Sequence, residues 1–140
     1  MKLRPVTLAD ARRLHDWRND AQTRAASLST APVSWEDHLA WLSASLDNPA
    51  RTLMIAERDG TAVGTVRADA RNGMQELSWT VAPDARGQGV AKEMVLMFRA
   101  TLPDKVCARV REDNMASRRI AEALGLQCQS VTDGVCFFSE

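Results

Sequence analysis

Arg86, Gly87 and Gly89 stand directly ahead of an apolar run in "PDARGQGVAKEM", residues 83–94. Glycine in a helix's first turn costs stability, so two of them here mark backbone that must stay bare. The first turn of a helix carries unpaired N–H groups and a partial positive charge. Glycines let an anion approach those groups, and the chemistry indicated is phosphate binding. Gly87, Gln88, Gly89, Val90 and Ala91 form the cradle in this reading, and Arg86 fixes the turn or adds charge. No Gly-Lys-Ser/Thr follows, which excludes a P-loop, and Lys92 stands where a GxGxxG pattern needs its third glycine.

Other residue types suggest proton chemistry. Asn114, Ser117 and Ala121 follow an i, i+3, i+7 spacing and share one helix face. Ala116, Ile120, Ala123 and Leu124 form the adjoining apolar face, assigned to the core. Asn114 either caps the helix or meets a ligand. Glu76 falls on one side of a strand with Ser78 and Thr80; it is a candidate general base or water-holder, or else a solvated glutamate. His38 is a second candidate base, because an imidazole titrates near neutrality; on a helix with Trp35 and Trp41 it lines a pocket or packs. His15 is assigned to the surface.

Those residues need elements to hold them. "LRPVT" (3–7) reads as a strand, and Thr7 with Asp10 as a capping box opening a helix through about Trp17. "SLSTAPVS" (27–34) is a loop, and Ser34 opens a helix with Trp35, Leu39, Leu42 and Leu46 on one side. "RTLMIAE", "TAVGTVRAD" and "MQELSWTV" form a three-strand meander with turns at "RDG" and "RNG". A helix beginning near Gly87 runs to about Ala100. "KVCARVR" is a strand, "NMASRRIAEALG" a helix closed by Gly125, and "LQCQSV" and "VCFFS" two last strands around "TDG". Hairpins on one side and crossovers on the other predict an α/β fold, with a central mixed sheet of about six or seven strands flanked by about four helices.

The spacing Arg86-x-x-Gly89-x-Ala91 resembles the acetyl-CoA signature of GCN5-related N-acetyltransferases (GNAT). The downstream segment "VREDNMASRRIAEALGL" (110–126) resembles that family's strand–Asn–helix segment. The resemblance covers essentially the whole chain. It implies a single acetyltransferase domain over 1–140: acceptor-side helices in 1–50, an acetyl-CoA-binding core in 51–126 and C-terminal strands in 127–140. Acetyl-CoA is implied as co-substrate, with no metal. A splayed strand is implied before the loop, where the backbone of Trp79, Thr80 and Val81 pairs with the pantetheine arm. Asn114 and Ser117 are implied to meet the cofactor. Arg118 and Arg119 reach its phosphates or lie at the surface.

Many relatives carry Tyr at the position of Ala121, where it protonates the departing thiolate; this chain has no Tyr. Thiolate is a tolerable leaving group, so Ser117 or water is the expected acid. "WRND", Arg24 and "SWEDH" look like the subgroup that acetylates nucleotide-linked amino sugars, with Trp17, Asn19, Arg24 and His38 as acceptor contacts. In the plainer reading Trp17, Trp35 and Trp41 are core anchors. An acetyltransferase for a peptide N-terminus and a non-catalytic acetyl-CoA module stay open.

Composition is that of a soluble globular protein. In 140 residues the formal net charge is +0, hydrophobic content is 45% and charged content 26%, so no global field favours nucleic acid or a membrane surface. The opening "MKLRPVTLADARRLHDW" turns charged too soon for a signal peptide. Cys107, Cys128 and Cys136 have no CxxC spacing and read as reduced core thiols of a cytoplasmic protein. The expected partner is a small amine, with no nucleic acid or membrane, and a homodimer is left open.

Overall fold

Short polar side chains set where the helices begin. Thr7 and Asp10 form the expected capping box, with the Thr7 amide donating to Asp10 Oδ2 at 2.9 Å. A single 3-10 turn follows and leads into α1 (Ala11–Asn19). Asp20 caps α2 (Ala21–Ala26), Ser34 caps α3 (Trp35–Leu46), and Asn114 caps α5 (Met115–Ala123); each accepts a backbone N–H from its first turn. The remaining helix, α4 (Val90–Ala100), begins instead from Gly89. The computed structural model describes residues 1–140. It has five α-helices where about four were expected; the addition is α2, six residues too short to show a 3.6-residue period.

The strands are β1 (Lys2–Pro5), β2 (Arg51–Arg58), β3 (Thr61–Arg71), β4 (Met74–Val81), β5 (Lys105–Arg111), β6 (Gln127–Thr132) and β7 (Val135–Ser139). They form one sheet in the order β1-β2-β3-β4-β5-β7-β6. Only β4 and β5 run parallel, joined by the α4 crossover; every other neighbouring pair is antiparallel. The three hairpin turns have positive φ at both central residues, Asp59-Gly60, Asn72-Gly73 and Asp133-Gly134, which matches the twist of the strands they join.

The sheet has two unlike faces. One carries Val66, Ala68, Leu77, Val106, Ala108 and Val110 into the main core, under α4 and α5. The other carries Ile55 into a smaller cluster with Leu14 and Leu42 of α1 and α3. By alternation Arg67, Asp69, Glu76, Ser78 and Arg109 also lie on this second face. The buried stripe of α3 is His38, Leu42 and Ser45, rotated from the expected one, and Leu46 is exposed. Of the cysteines, Cys107 and Cys136 are buried, but Cys128 is exposed on edge strand β6. No helix is long and apolar enough to cross a membrane.

Gly64 marks where α4 sits closest to the sheet. A Cβ there would stand 2.7 Å from Met94 Sδ and 2.9 Å from the Thr80 carbonyl oxygen. The sulfur can swing away, but the β4 backbone cannot. Gly64→Ala is expected to cost about 1–3 kcal/mol and to lower the melting temperature by several degrees. An unchanged thermal melt would mean that the helix and strand separate without cost.

Candidate functional site

The parallel pairing of β4 with β5 stops early. Met74, Gln75 and Glu76 pair with Lys105, Val106 and Cys107, and no further pair forms. Beyond that point β5 turns its edge wholly to β7, and Leu77–Val81 keep only β3 as partner. The strands therefore diverge, leaving one edge of Trp79, Thr80 and Val81 unpaired. A cleft of about 730 Å³ opens there, walled by β4, β5, α2, the N-terminus of α5 and the glycine loop.

The loop is built to expose backbone. Gly87 and Gly89 have φ of +75° and +71°, and a Cβ on either would meet nothing within 4 Å. The first bonded amide of α4 is that of Glu93, to the Gly89 carbonyl at 3.3 Å. The amides of Val90, Ala91 and Lys92 precede it and are free for a ligand. Val90 puts its own side chain into the core, which anchors the cradle. Gln88 turns away, its side chain bonding the Asp84 carbonyl at 3.5 Å.

Arg86 acts by fixing the turn. Its guanidinium bonds Asp20 closely, Thr23 Oγ1 at 3.0 Å and Gln22 Oε1 at 3.2 Å, clamping α2 over the loop. The bond from Arg86 holds the Asp20 carboxyl below its usual range. Arg86 is thus neutralised and adds no free charge to the cradle. Nothing in the sequence around Asp20 and Thr23 marks them as partners of Arg86.

Asn114 is a cap. Its Oδ1 accepts from the Ser117 amide at 3.1 Å, and its Nδ2 donates to the Ala26 carbonyl at 3.3 Å. Both ends of its amide are engaged while its flank lines the cleft. Ser117 also faces the cleft, and its Oγ accepts the Trp79 indole N–H at 3.2 Å. That bond uses a lone pair and leaves the hydroxyl proton to donate. Ala121, one turn further, is 0% exposed and belongs to the core, whereas Ala116 and Ala123 are exposed. The face shared with Asn114 and Ser117 dives beneath the sheet at that turn.

Glu76 is buried behind the cleft wall. Arg109 grips its carboxylate with two bonds, Nε to Oε1 at 2.9 Å and Nη2 to Oε2 at 3.1 Å. Arg109, not Glu76, lines the cleft. The bond to Glu76 raises the Arg109 pKa further.

The four expected acceptor contacts lie elsewhere. Trp17 packs against both core clusters. Asn19 holds the 27–34 loop to α1, donating to the Val33 carbonyl at 2.7 Å and accepting from its amide at 2.8 Å. His38 is 4% exposed among His15, Trp35 and Trp41, and burial pushes its pKa down. His15, assigned to the surface, belongs to this cluster with its Nε2 2.8 Å from the Val33 carbonyl. Arg24 is not in the lining of the cleft; its neighbour Arg18 is, together with Arg67 and Arg109.

A second groove of about 820 Å³ lies beside α1, and Trp17, Asn19 and Gln88 line it. Four aspartates, Asp16, Asp20, Asp59 and Asp84, share that lining with Arg58, a poor setting for a phosphate. The glycine loop lines the 730 Å³ cleft instead. No group of three or more His, Cys, Asp or Glu side chains could hold a metal ion.

Comparison with known proteins agrees with this architecture. The family model described as "Acetyltransferase (GNAT) domain" matches residues 1–127. No curated protein matches the chain. Among solved structures, ribosomal-protein-alanine N-acetyltransferase from Brucella melitensis is 24% identical with a TM-score of 0.78, over 100% of this chain and 99% of that one. An N-acetyltransferase from Staphylococcus aureus Mu50 is 18% identical with a TM-score of 0.81, over 99% and 96%. A GNAT superfamily phosphinothricin acetyltransferase from Sinorhizobium meliloti, solved in complex with AcCoA, is 20% identical with a TM-score of 0.81, over 99% and 86%. At these identities the likeness is one of fold.

Proposed function

This chain belongs to the GNAT acetyltransferases, and from that membership we propose that it moves the acetyl group of acetyl-CoA to a primary amine by direct attack. The observation that carries the reading is the left-handed pair Gly87 and Gly89, facing open space at the end of a strand whose outer edge has parted from β5. The cradle suits a pyrophosphate, and the free edge of Trp79–Val81 suits an amide-bearing arm laid alongside as a further strand.

The amine lone pair attacks the thioester carbonyl carbon; the C–N bond forms, the C–S bond breaks, and the thiolate leaves. Ser117 supplies the proton, since Trp79 takes only a lone pair of its oxygen. The nitrogen's proton passes through water to the Ser117 oxygen, which restores the hydroxyl. Glu76 serves by holding Arg109, because both its oxygens are occupied there. The residues that suggested a nucleotide-linked amino sugar, Trp17, Asn19, Arg24 and His38, do not line the cleft. They give no support to that finer acceptor.

Titration with acetyl-CoA, followed by thiol release against a panel of amines, tests the reading. A non-catalytic module binds without releasing thiol. Ser117→Ala should cut turnover at least about tenfold while acetyl-CoA affinity changes little. Equal turnover in that variant would hand the proton transfer to water.

A further inference from the structure

The cleft's charge is lopsided. Its lining includes Arg18, Arg67, Arg86, Lys92, Arg109 and Arg111 and no Asp or Glu, although the chain as a whole has a formal net charge of +0. Arg86 and Arg111 are matched by Asp20 and Asp113, and Lys92 stands at the cradle. Arg18, Arg67 and Arg109 remain, away from the N-terminus of α4, with Arg67 and Arg109 on the opposite sheet face. Behind them Asp69 is shared between Arg51 and Arg67, and Glu76 serves Arg109. Four guanidinium groups, those of Arg18, Arg51, Arg67 and Arg109, thus face two carboxylates, a surplus of two positive charges.

Arg18 and Arg67 each keep one buried donor without a partner, and the exposed Arg109 keeps one donor free of protein. Arg67 packs its guanidinium 5.6 Å from the Trp41 ring centroid. Its Nε is buried and donates to nothing: Asp69 Oδ2 lies 3.1 Å away but out of line. Arg18 donates to the Ser29 carbonyl at 3.0 Å, while its Nη1 is buried without a partner. Arg109 spends Nε and Nη2 on Glu76 and keeps Nη1. Buried donors are ordinarily bonded, and a guanidinium fork fits carboxylate and phosphate oxygens. Burial disfavours the charged form of Arg67 and Arg18, so an anion relieves both.

We propose that the acceptor amine also carries a carboxylate or phosphoryl group, and that Arg18, Arg67 and Arg109 bind that acid. The acid holds the amine beside the thioester, so this inference rests on the acetyl-transfer reading. A polycationic amine meets like charge in the same place.

Matched pairs of amines test it: an α-amino acid against its amide, an aminoalkyl phosphonate against the plain alkylamine, and a nucleotide-linked amino sugar against the free amino sugar. Binding is read by tryptophan fluorescence, since Trp41 stacks on Arg67, and transfer by thiol release. The acid of at least one pair should bind, and its kcat/KM should exceed its partner's at least tenfold; which pair responds tells carboxylate from phosphoryl. Arg18→Gln strands no carboxylate and should bring that ratio close to one. Arg109→Gln combined with Glu76→Gln removes a whole ion pair and should do the same. Acid binding without thiol release overturns the transfer reading and leaves the anion site standing. Neutral amines bound as well as acids, acids that fail to bind, or a preference that survives both variants overturns the anion site.

Discussion

Gly89→Asp is expected to lower acetyl-CoA affinity by more than tenfold, over ~1.4 kcal/mol, in a protein that still folds. The fold should survive because an added Cβ there meets nothing within 4 Å. A left-handed residue at φ +71° costs an L-amino acid about 1–2 kcal/mol, and aspartate visits that region more readily than most. The ligand fares worse for two reasons. The open space beside Gly89 is where a phosphate would come closest to the backbone. The new carboxylate would also compete for the free amides of Val90, Ala91 and Lys92, since an acidic group is welcome at a helix N-terminus. Gly89→Ala carries the backbone strain without the charge, so the difference between the two variants isolates the electrostatic part. Calorimetry on the folded Asp variant decides the matter, and a wild-type Kd would remove the cradle from the donor site.

The glycine loop ahead of α4 was legible in the sequence because its signal is local. Two glycines ahead of an apolar helical run require no knowledge of any other element. The strands were legible for the same reason, since alternation and Asn-Gly or Asp-Gly turns are nearest-neighbour patterns. What the sequence hid depends on partners distant along the chain. The sequence leaves Arg86 either fixing the turn or adding charge, and the choice follows from Asp20 and Thr23, more than sixty residues away. His38 and Asn19 have residue types that suit a sugar, yet packing of α1 against α3 and the 27–34 loop consumes both. Alternation alone could have placed Arg67 with Asp69 and Arg109 with Cys107. Bringing those two strands to either side of Glu76 requires the sheet order and the β4–β5 register. Glu76 illustrates that gap: a strand carboxylate that could be a base, a water-holder or a solvated glutamate is found buried and gripped by Arg109.

Ala121→Tyr is expected to destabilise the protein by more than about 3 kcal/mol, a fall in melting temperature on the order of 10 °C. The substitution restores the residue that many relatives carry as their acid, so helix spacing alone would suggest a harmless or helpful change. Packing argues otherwise. Ala121 is 0% exposed and sits in the cluster with Val110, Leu126 and Phe138. Trp79 packs against that same cluster and reaches across from β4 to Ser117, one helical turn away. A Tyr ring turned from position 121 toward the cleft would meet the indole, whose N–H engages the Ser117 hydroxyl. Removing the indole should make room. Trp79→Ala alone loses a large, partly buried ring and is destabilising, but combined with Ala121→Tyr it should be less so than the two separate losses added together. That coupling should amount to at least ~1 kcal/mol in a thermal or denaturant cycle. Additive losses would show that the two rings do not compete for one space, and a wild-type melt for Ala121→Tyr alone would show that α5 can turn a Tyr into the cleft after all.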